Sequence, residues 1–267
     1  MGVPPASSAG EAAVSAPPAV RRLAVIPSRL GSTRLPRKAL LRESGSYLFE
    51  HVARRVAAAR CFDAVLLATD AAEIADAARS VGVAVAMTSP AHASGTDRVF
   101  EAARSFPFAE IVVNVQGDEP EIEPGDLERL VGALERGGEV ATLATPFGEG
   151  EDSSDPNATK VVVSGSGAAL YFSRAPIPHL AREGQRLRHI GVYAFRARAL
   201  FRFAALPPSP LEKAEGLEPL RLLEDGARID VLLTDSSPRG IDTRADYDRF
   251  LRRLRAEGGS EWRSTSS

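Results

Sequence analysis

The sequence predicts an α/β fold: a mostly parallel sheet with helices on both faces, and a smaller, more antiparallel lobe near residues 146–200. Three observations carry this. Up to about residue 135, short apolar runs alternate with stretches of helical period, the pattern of successive β-α units. The runs are apolar on every residue, as in strands buried on both faces. After Pro146, strand-like runs follow one another with few helices between them. With 267 residues, 44% of them hydrophobic, the chain is long enough for one such domain over residues 21–257.

In order, residues 1–20 are rich in Ala, Ser, Pro and Gly without period and read as a disordered tail. They lack the basic start and apolar core of a signal peptide. Residues 23–26 form the first strand. Phe49, Val52, Ala53 and Val56 then recur at helical spacing. Residues 64–68 are a second strand, Ile74, Ala77 and Ala78 mark a short helix, and residues 83–87 are a third strand. A helix starts near Thr96, residues 111–115 are the strongest strand, and Leu127, Leu130, Val131 and Leu134 make the next helix. Strands follow at 140–145, 160–163, 168–172 and 190–195, with Gly165 and Gly167 as a hairpin turn. A helix over 211–223, a strand over 229–233 and a helix over 247–254 close the domain, and residues 258–267 read as a loose tail.

Composition excludes several function classes. Net charge is −2, so no general nucleic-acid or membrane-surface partner is indicated. Cys61 is the single cysteine, which rules out a disulfide framework and fits a reducing, cytoplasmic setting. No apolar run approaches the roughly 20 residues of a spanning helix. Lysine occurs only at Lys38, Lys160 and Lys213, all other basic residues being arginine.

The chemistry starts after the first strand. Residues 29–38 carry Arg29, Ser32, Thr33, Arg34, Arg37 and Lys38. The stretch has neither the P-loop pattern nor a dinucleotide fingerprint. Its cations and hydroxyls suit a polyanion, most simply a nucleoside triphosphate; the plain alternative is a solvated arginine-rich turn. Asp118 and Glu119 follow the strongest strand, where a carboxylate can hold Mg²⁺; a turn or cap is the alternative. Asp242 reads on its own as an N-cap of the last helix. No His, Cys and Asp cluster has zinc spacing. In parallel sheets ligands bind beyond the carboxyl ends of the strands, so the loop and Asp118 are expected on one edge.

These residues resemble the cytidylyltransferases that act on 3-deoxy-manno-octulosonate (KDO). The likeness runs from residue 23 to 254. It rests on Arg29, Ser32 to Pro36 and Lys38; Ala68-Thr69-Asp70; His92, Ser94-Gly95-Thr96 and Arg98; and Asn114 through Pro120. It continues at Asp155-Pro156-Asn157 with Lys160, Tyr171 to Arg174, Arg188-His189, Gly191, Tyr193, Pro208 to Glu212, and Gly240 to Thr243. The resemblance implies a Rossmann-like nucleotidyltransferase sheet. It implies that Arg29, Ser32, Arg34 and Lys38 hold CTP phosphates, and that His92, Ser94, Gly95 and Arg98 lie by the nucleoside. It assigns Asp118 and Asp242 to Mg²⁺, and with Arg29 and Lys38 to catalysis. Gln116, Arg174, His189, Tyr193 and Glu218 would face an acidic acceptor, and the chain would form a homodimer through its smaller lobe.

The chain departs from the family on the acceptor side. Arg37 and Ala39 stand where the family has Gly and Pro. The segment between Pro178 and Arg188 is short, and the family's acceptor-binding arginine has its nearest counterpart in Arg182. His179 replaces a tryptophan, and a Glu-Gln-Leu-Arg motif is Glu218-Pro219-Leu220-Arg221. A kept CTP half beside an altered acceptor half predicts a smaller, more anionic acceptor, a phosphonate such as phosphonoformate in antibiotic biosynthesis. KDO activation for lipopolysaccharide is the alternative. A nucleotide-binding protein without turnover is the alternative of another class.

Overall fold

A computed structural model describes residues 19–32, 34–92, 94–148, 150–181 and 184–256. The expected tails therefore lie almost wholly outside the described residues, as do Thr33 and Arg182.

Four parallel strands build the first half: β1 (Arg22–Ser28), β2 (Ala64–Thr69), β3 (Val85–Met87) and β4 (Ile111–Asn114), paired in the order β3-β2-β1-β4. The intervening helices are α1 (Leu48–Ala58), α2 (Ala72–Ser80), α3 (Gly95–Ala103) and α4 (Pro124–Glu135). Successive residues of a strand point to opposite faces, and β1 divides accordingly. Leu23 and Val25 pack with Val99 and Ala102 of α3. Ala24 and Ile26 pack with Val52 and Val56 of α1 and Leu127 of α4. A strand buried on both faces needs no polar alternation, which is why the sequence shows none.

The second half adds β5 (Val140–Pro146), β6 (Lys160–Val163), β7 (Ala169–Ser173), β8 (Leu187–Arg196) and β9 (Ile229–Leu233). β8 runs antiparallel between β4 and β5, and β9 pairs parallel to β5. The β6-β7 hairpin branches off the start of β8. Its turn contains Gly165 and Gly167, as expected. The antiparallel section is thus continuous with the main sheet through β8.

Two expectations change. A helix, α5 (Ala197–Ala205), follows β8 directly, with no side-chain cap at Arg196 to mark its start. The stretch read as one helix over 211–223 is two, α6 (Pro210–Glu215) and α7 (Pro219–Glu224), broken at Gly216, which adopts φ 65°. Pro219 is the first residue of α7, where its missing N–H is not needed. The last helix is α8 (Arg244–Ala256). No helix among the described residues is long and apolar enough to cross a membrane.

Candidate functional site

The carboxyl ends of β1 and β4 are adjacent because those strands pair in parallel. They frame a cavity of about 500 Å³. Gly117 lets the turn after β4 close onto β1, since a Cβ there would stand 2.9 Å from the Pro27 carbonyl oxygen. Every predicted site residue lines this cavity except Arg174, His189 and Tyr193.

Lys38 is the centre of the charge arrangement. Its Nζ pairs with the Asp118 carboxylate, lies 3.1 Å from Asp242 Oδ1, and donates to the Ile241 carbonyl at 3.1 Å. Burial opposes its charge, but Asp118 and Asp242 more than offset this and raise its pKa. Arg34 reaches the other oxygen of Asp242 at 3.0 Å and the Asn157 side-chain oxygen at 2.7 Å. Asp242 is free for this because the helix start is capped by other groups. Thr243 Oγ1 accepts from the Asp246 N–H at 3.2 Å, and Asp246 Oδ2 accepts from the Thr243 N–H at 2.9 Å. The N-cap reading of Asp242 is therefore replaced by a role facing Lys38.

Two carboxylates converge on one cationic atom, and all donors are oxygen. That set fits Mg²⁺, which takes one or two carboxylates with phosphate oxygens and water. Among the described residues no group of three or more His, Cys, Asp or Glu forms a larger metal cluster. Beside Asp118, burial and the Asp118 charge push the Glu119 carboxyl up to about 8.

On the other wall, Ser94 caps α3 by accepting from the Asp97 N–H at 3.1 Å. Arg98, 4% exposed, donates to Thr88 Oγ1 at 2.5 Å and pairs with Asp70 at 3.1 Å. His92 bonds to the Glu101 carboxylate, and the Ser89 N–H with that histidine lowers the Glu101 pKa. Ser32 Oγ accepts from the Leu35 N–H at 3.3 Å. Glu218 ends the wall at the start of α7; burial raises its pKa, against a hydrogen bond from Thr96.

Three predicted acceptor residues do not join them. The Arg174 guanidinium is held by main-chain carbonyls, Pro156 at 2.9 Å and Glu215 at 3.0 Å. The register of β8 against β5 shifts between Thr142 and Leu143, a bulge that re-aims side chains. His189 Nε2 consequently meets Thr142 Oγ1 at 2.9 Å, and its ring packs against Phe172 and Tyr193. Burial and Arg188 lower the His189 pKa to about 3. The Tyr193 hydroxyl is buried without a well-formed hydrogen bond, and its pKa rises through burial and Glu218. His189 instead lines a neighbouring cavity of about 550 Å³ with Arg34, Glu119, Glu151, Arg188 and Asp242.

Sequence reasoning missed Asn157 as the partner of Arg34, although it lies in a motif. It also missed Glu101 and Glu151, which pair with His92 and with Arg239. Nothing local marks Glu151, whose partner Arg239 is distant in sequence; Glu101 lies only nine residues from His92, across the start of α3.

Arg37 also stands apart. It is the one non-glycine with positive φ (57°) among the described residues, and it pairs with Glu73 on α2 rather than facing the cavity.

The cytidylyltransferase family model matches residues 23–229. A "3-deoxy-manno-octulosonate cytidylyltransferase" of Anaeromyxobacter sp. (strain Fw109-5) is 51% identical over 91% of this chain and all of the relative. One of the same name from Nitratidesulfovibrio vulgaris (strain DP4) is 46% identical over 88% of this chain and 96% of the relative. A solved CMP:2-keto-3-deoxy-manno-octonic acid synthetase complexed with CTP superposes with a TM-score of 0.83 at 36% identity, over 89% of this chain and 99% of the other. This chain therefore belongs to the cytidylyltransferase family, within its 3-deoxy-manno-octulosonate branch, and is a CTP-using nucleotidyltransferase.

Proposed function

We propose that this chain joins the cytidylyl group of CTP to KDO and releases pyrophosphate, with Mg²⁺ as cofactor. The observation that carries the reading is Lys38 Nζ held between Asp118 and Asp242 beside an arginine-rich loop. Cations for a triphosphate and carboxylates for a divalent ion meet there at one strand edge. The acceptor follows the relatives, whose name specifies KDO over nearly the whole chain length. That support favours KDO over a small phosphonate, despite the altered residues on the acceptor side.

In this reading Arg29, Ser32, Arg34 and Lys38 hold the phosphates, and His92, Ser94, Gly95 and Arg98 border the nucleoside. Gln116 and Glu218 offer hydrogen bonds to the acceptor hydroxyls. An acceptor hydroxyl oxygen attacks the α-phosphorus, the bond to the bridging oxygen breaks on the opposite side, and pyrophosphate leaves. The hydroxyl proton passes to water. Asp118 and Asp242 would hold Mg²⁺, which when bound supplies positive charge at the phosphates and lowers the pKa of the attacking hydroxyl. Positioning and charge neutralisation account for the rest of the rate.

The test is pyrophosphate release with CTP, Mg²⁺ and each acid in turn. Turnover with KDO is expected. Turnover with phosphonoformate alone would replace the acceptor, and CTP binding without turnover on any acid would favour the silent nucleotide-binding reading. A homodimer is part of the same proposal. Leu170 and Leu180 are exposed on and beside the β6-β7 hairpin, which supports it, and light scattering measures it.

A further inference from the structure

We propose that Arg37 is a positioning residue that aims Lys38 through an ion pair with Glu73. The inference rests on the proposed role of Lys38 in holding CTP. Three observations meet at this residue. First, its backbone is left-handed at φ 57° and ψ 26°, a conformation that side-chain-bearing residues hold only where their surroundings enforce it. Second, the enforcing contacts lie on either side. Leu35 is buried with Ile241, Tyr247 and Phe250, whereas Ala39 is buried in a different cluster with Phe49, Leu67 and Ile74. The chain must turn between two anchors, and Arg37 is where it turns. The Leu40 N–H donates to the Arg37 carbonyl at 2.9 Å, which closes a single 3-10 turn over Lys38–Leu40. Third, the Arg37 guanidinium pairs with Glu73 in the first turn of α2, across a groove of about 600 Å³ behind the loop.

Arg37 does not line the cavity that holds Lys38. Its side chain pulls on the back of the loop while the next residue projects from the front. Slackening the pair lets the turn relax and lets Lys38 wander from the strand edge. Arg37 therefore acts through Lys38 without touching the nucleotide. Both partners are about half exposed, so the link is a modest one and is screened by salt.

The decisive variant is Glu73→Gln, because two explanations predict opposite signs. If local charge alone mattered, removing a negative charge near a polyanion site would tighten CTP binding. If Glu73 anchors the turn, CTP binding weakens. The expected result is a Kd for CTP, from titration calorimetry without acceptor, about two- to five-fold higher, the size an exposed ion pair supports. Arg37→Ala is expected to weaken binding at least as much. Arg37→Gly also weakens it, although glycine suits the backbone. Arg37→Lys keeps most of the wild-type affinity. At about 0.5 M salt the ratio between Glu73→Gln and wild type should shrink toward one, which a purely structural role would not produce. An unchanged or lowered Kd in Glu73→Gln overturns the proposal, as does wild-type affinity in Arg37→Gly. Lys38→Ala separates the two readings. If it leaves CTP binding intact, both fall; if it weakens binding while Glu73→Gln does not, only the positioning role falls.

Discussion

The strand-end cavity and the region outside it use their polar side chains differently. On the nucleotide wall, Lys38, Arg34 and Arg98 pair with the carboxylates of Asp118, Asp242 and Asp70. Outside that cavity, the Arg174 guanidinium donates to two main-chain carbonyls, and the neutral His189 ring meets a threonine hydroxyl. A carboxylate partner can be exchanged for a phosphate, because both are anions that accept the same bonds. A main-chain carbonyl belongs to the frame, and a cation that satisfies several of them holds the fold together. Arginine thus meets exchangeable carboxylates around the cavity and fixed main-chain carbonyls outside it.

If this contrast holds, substitutions on the nucleotide wall damage turnover and those on the acceptor side damage stability. The largest effect is expected for Asp118→Asn or Asp242→Asn, a loss in kcat of about 100- to 1000-fold, the scale of losing transition-state charge stabilisation. Steady-state kinetics with unchanged melting temperature would bear this out. Lys38→Ala follows, with a loss of about 30- to 100-fold in kcat/KM for CTP, the scale of one charged phosphate contact.

A third prediction compares two buried histidines, His51 on α1 and His189 on β8. Burial, with Arg54, lowers the His51 pKa to about 4, and burial with Arg188 lowers that of His189 to about 3. Unfolded histidine titrates near 6.5, so between that value and the folded one the unfolded chain binds protons that the fold refuses. Each group therefore makes stability fall as pH drops below about 6.5, by about 2 kcal/mol for His51 between pH 7 and 5. His51→Gln should flatten the slope in denaturant melts taken across that range. A His51→Gln slope identical to wild type would break the prediction. The smallest effect is expected for Arg174→Ala, a stability loss of about 1 kcal/mol for the two exposed hydrogen bonds it gives up, with KM for CTP unchanged. A large rise in KM for the acceptor instead would return Arg174 to the site and break the contrast.

Legibility in the sequence follows the same division. The nucleotide wall was readable because parallel strand ends converge by topology. Arg29 to Lys38 and Asp118 each follow an apolar run, and pairing of β1 with β4 then places them together. The acceptor side was not readable, because the placement of His189 and Tyr193 depends on a bulge opposite Thr142 that no local pattern announces. α5 escaped because it begins without a side-chain cap straight from a strand. The division of α6 from α7 was signalled by Gly216 and Pro219, a stop followed by a start. The N-cap reading of Asp242 failed for a different reason: Thr243, one residue later, supplies the same chemistry.

The shared grip of Lys38 on Asp118 and Asp242 has a kinetic consequence. With Asp118 and Asp242 already matched by Lys38 and Arg34, a lone divalent ion finds no unmatched carboxylate there, and a lone phosphate that draws those two cations away leaves the carboxylates uncompensated. Entry by either sign alone would strand the opposite one. A metal–nucleotide complex brings both signs at once, so each internal pair can swap partners in a single exchange. The resting arrangement thus works as a lock with two tumblers, and if Asp118 and Asp242 hold the proposed ion, arrival of ion and triphosphate together is the expected order, which CTP titrations with and without Mg²⁺ measure.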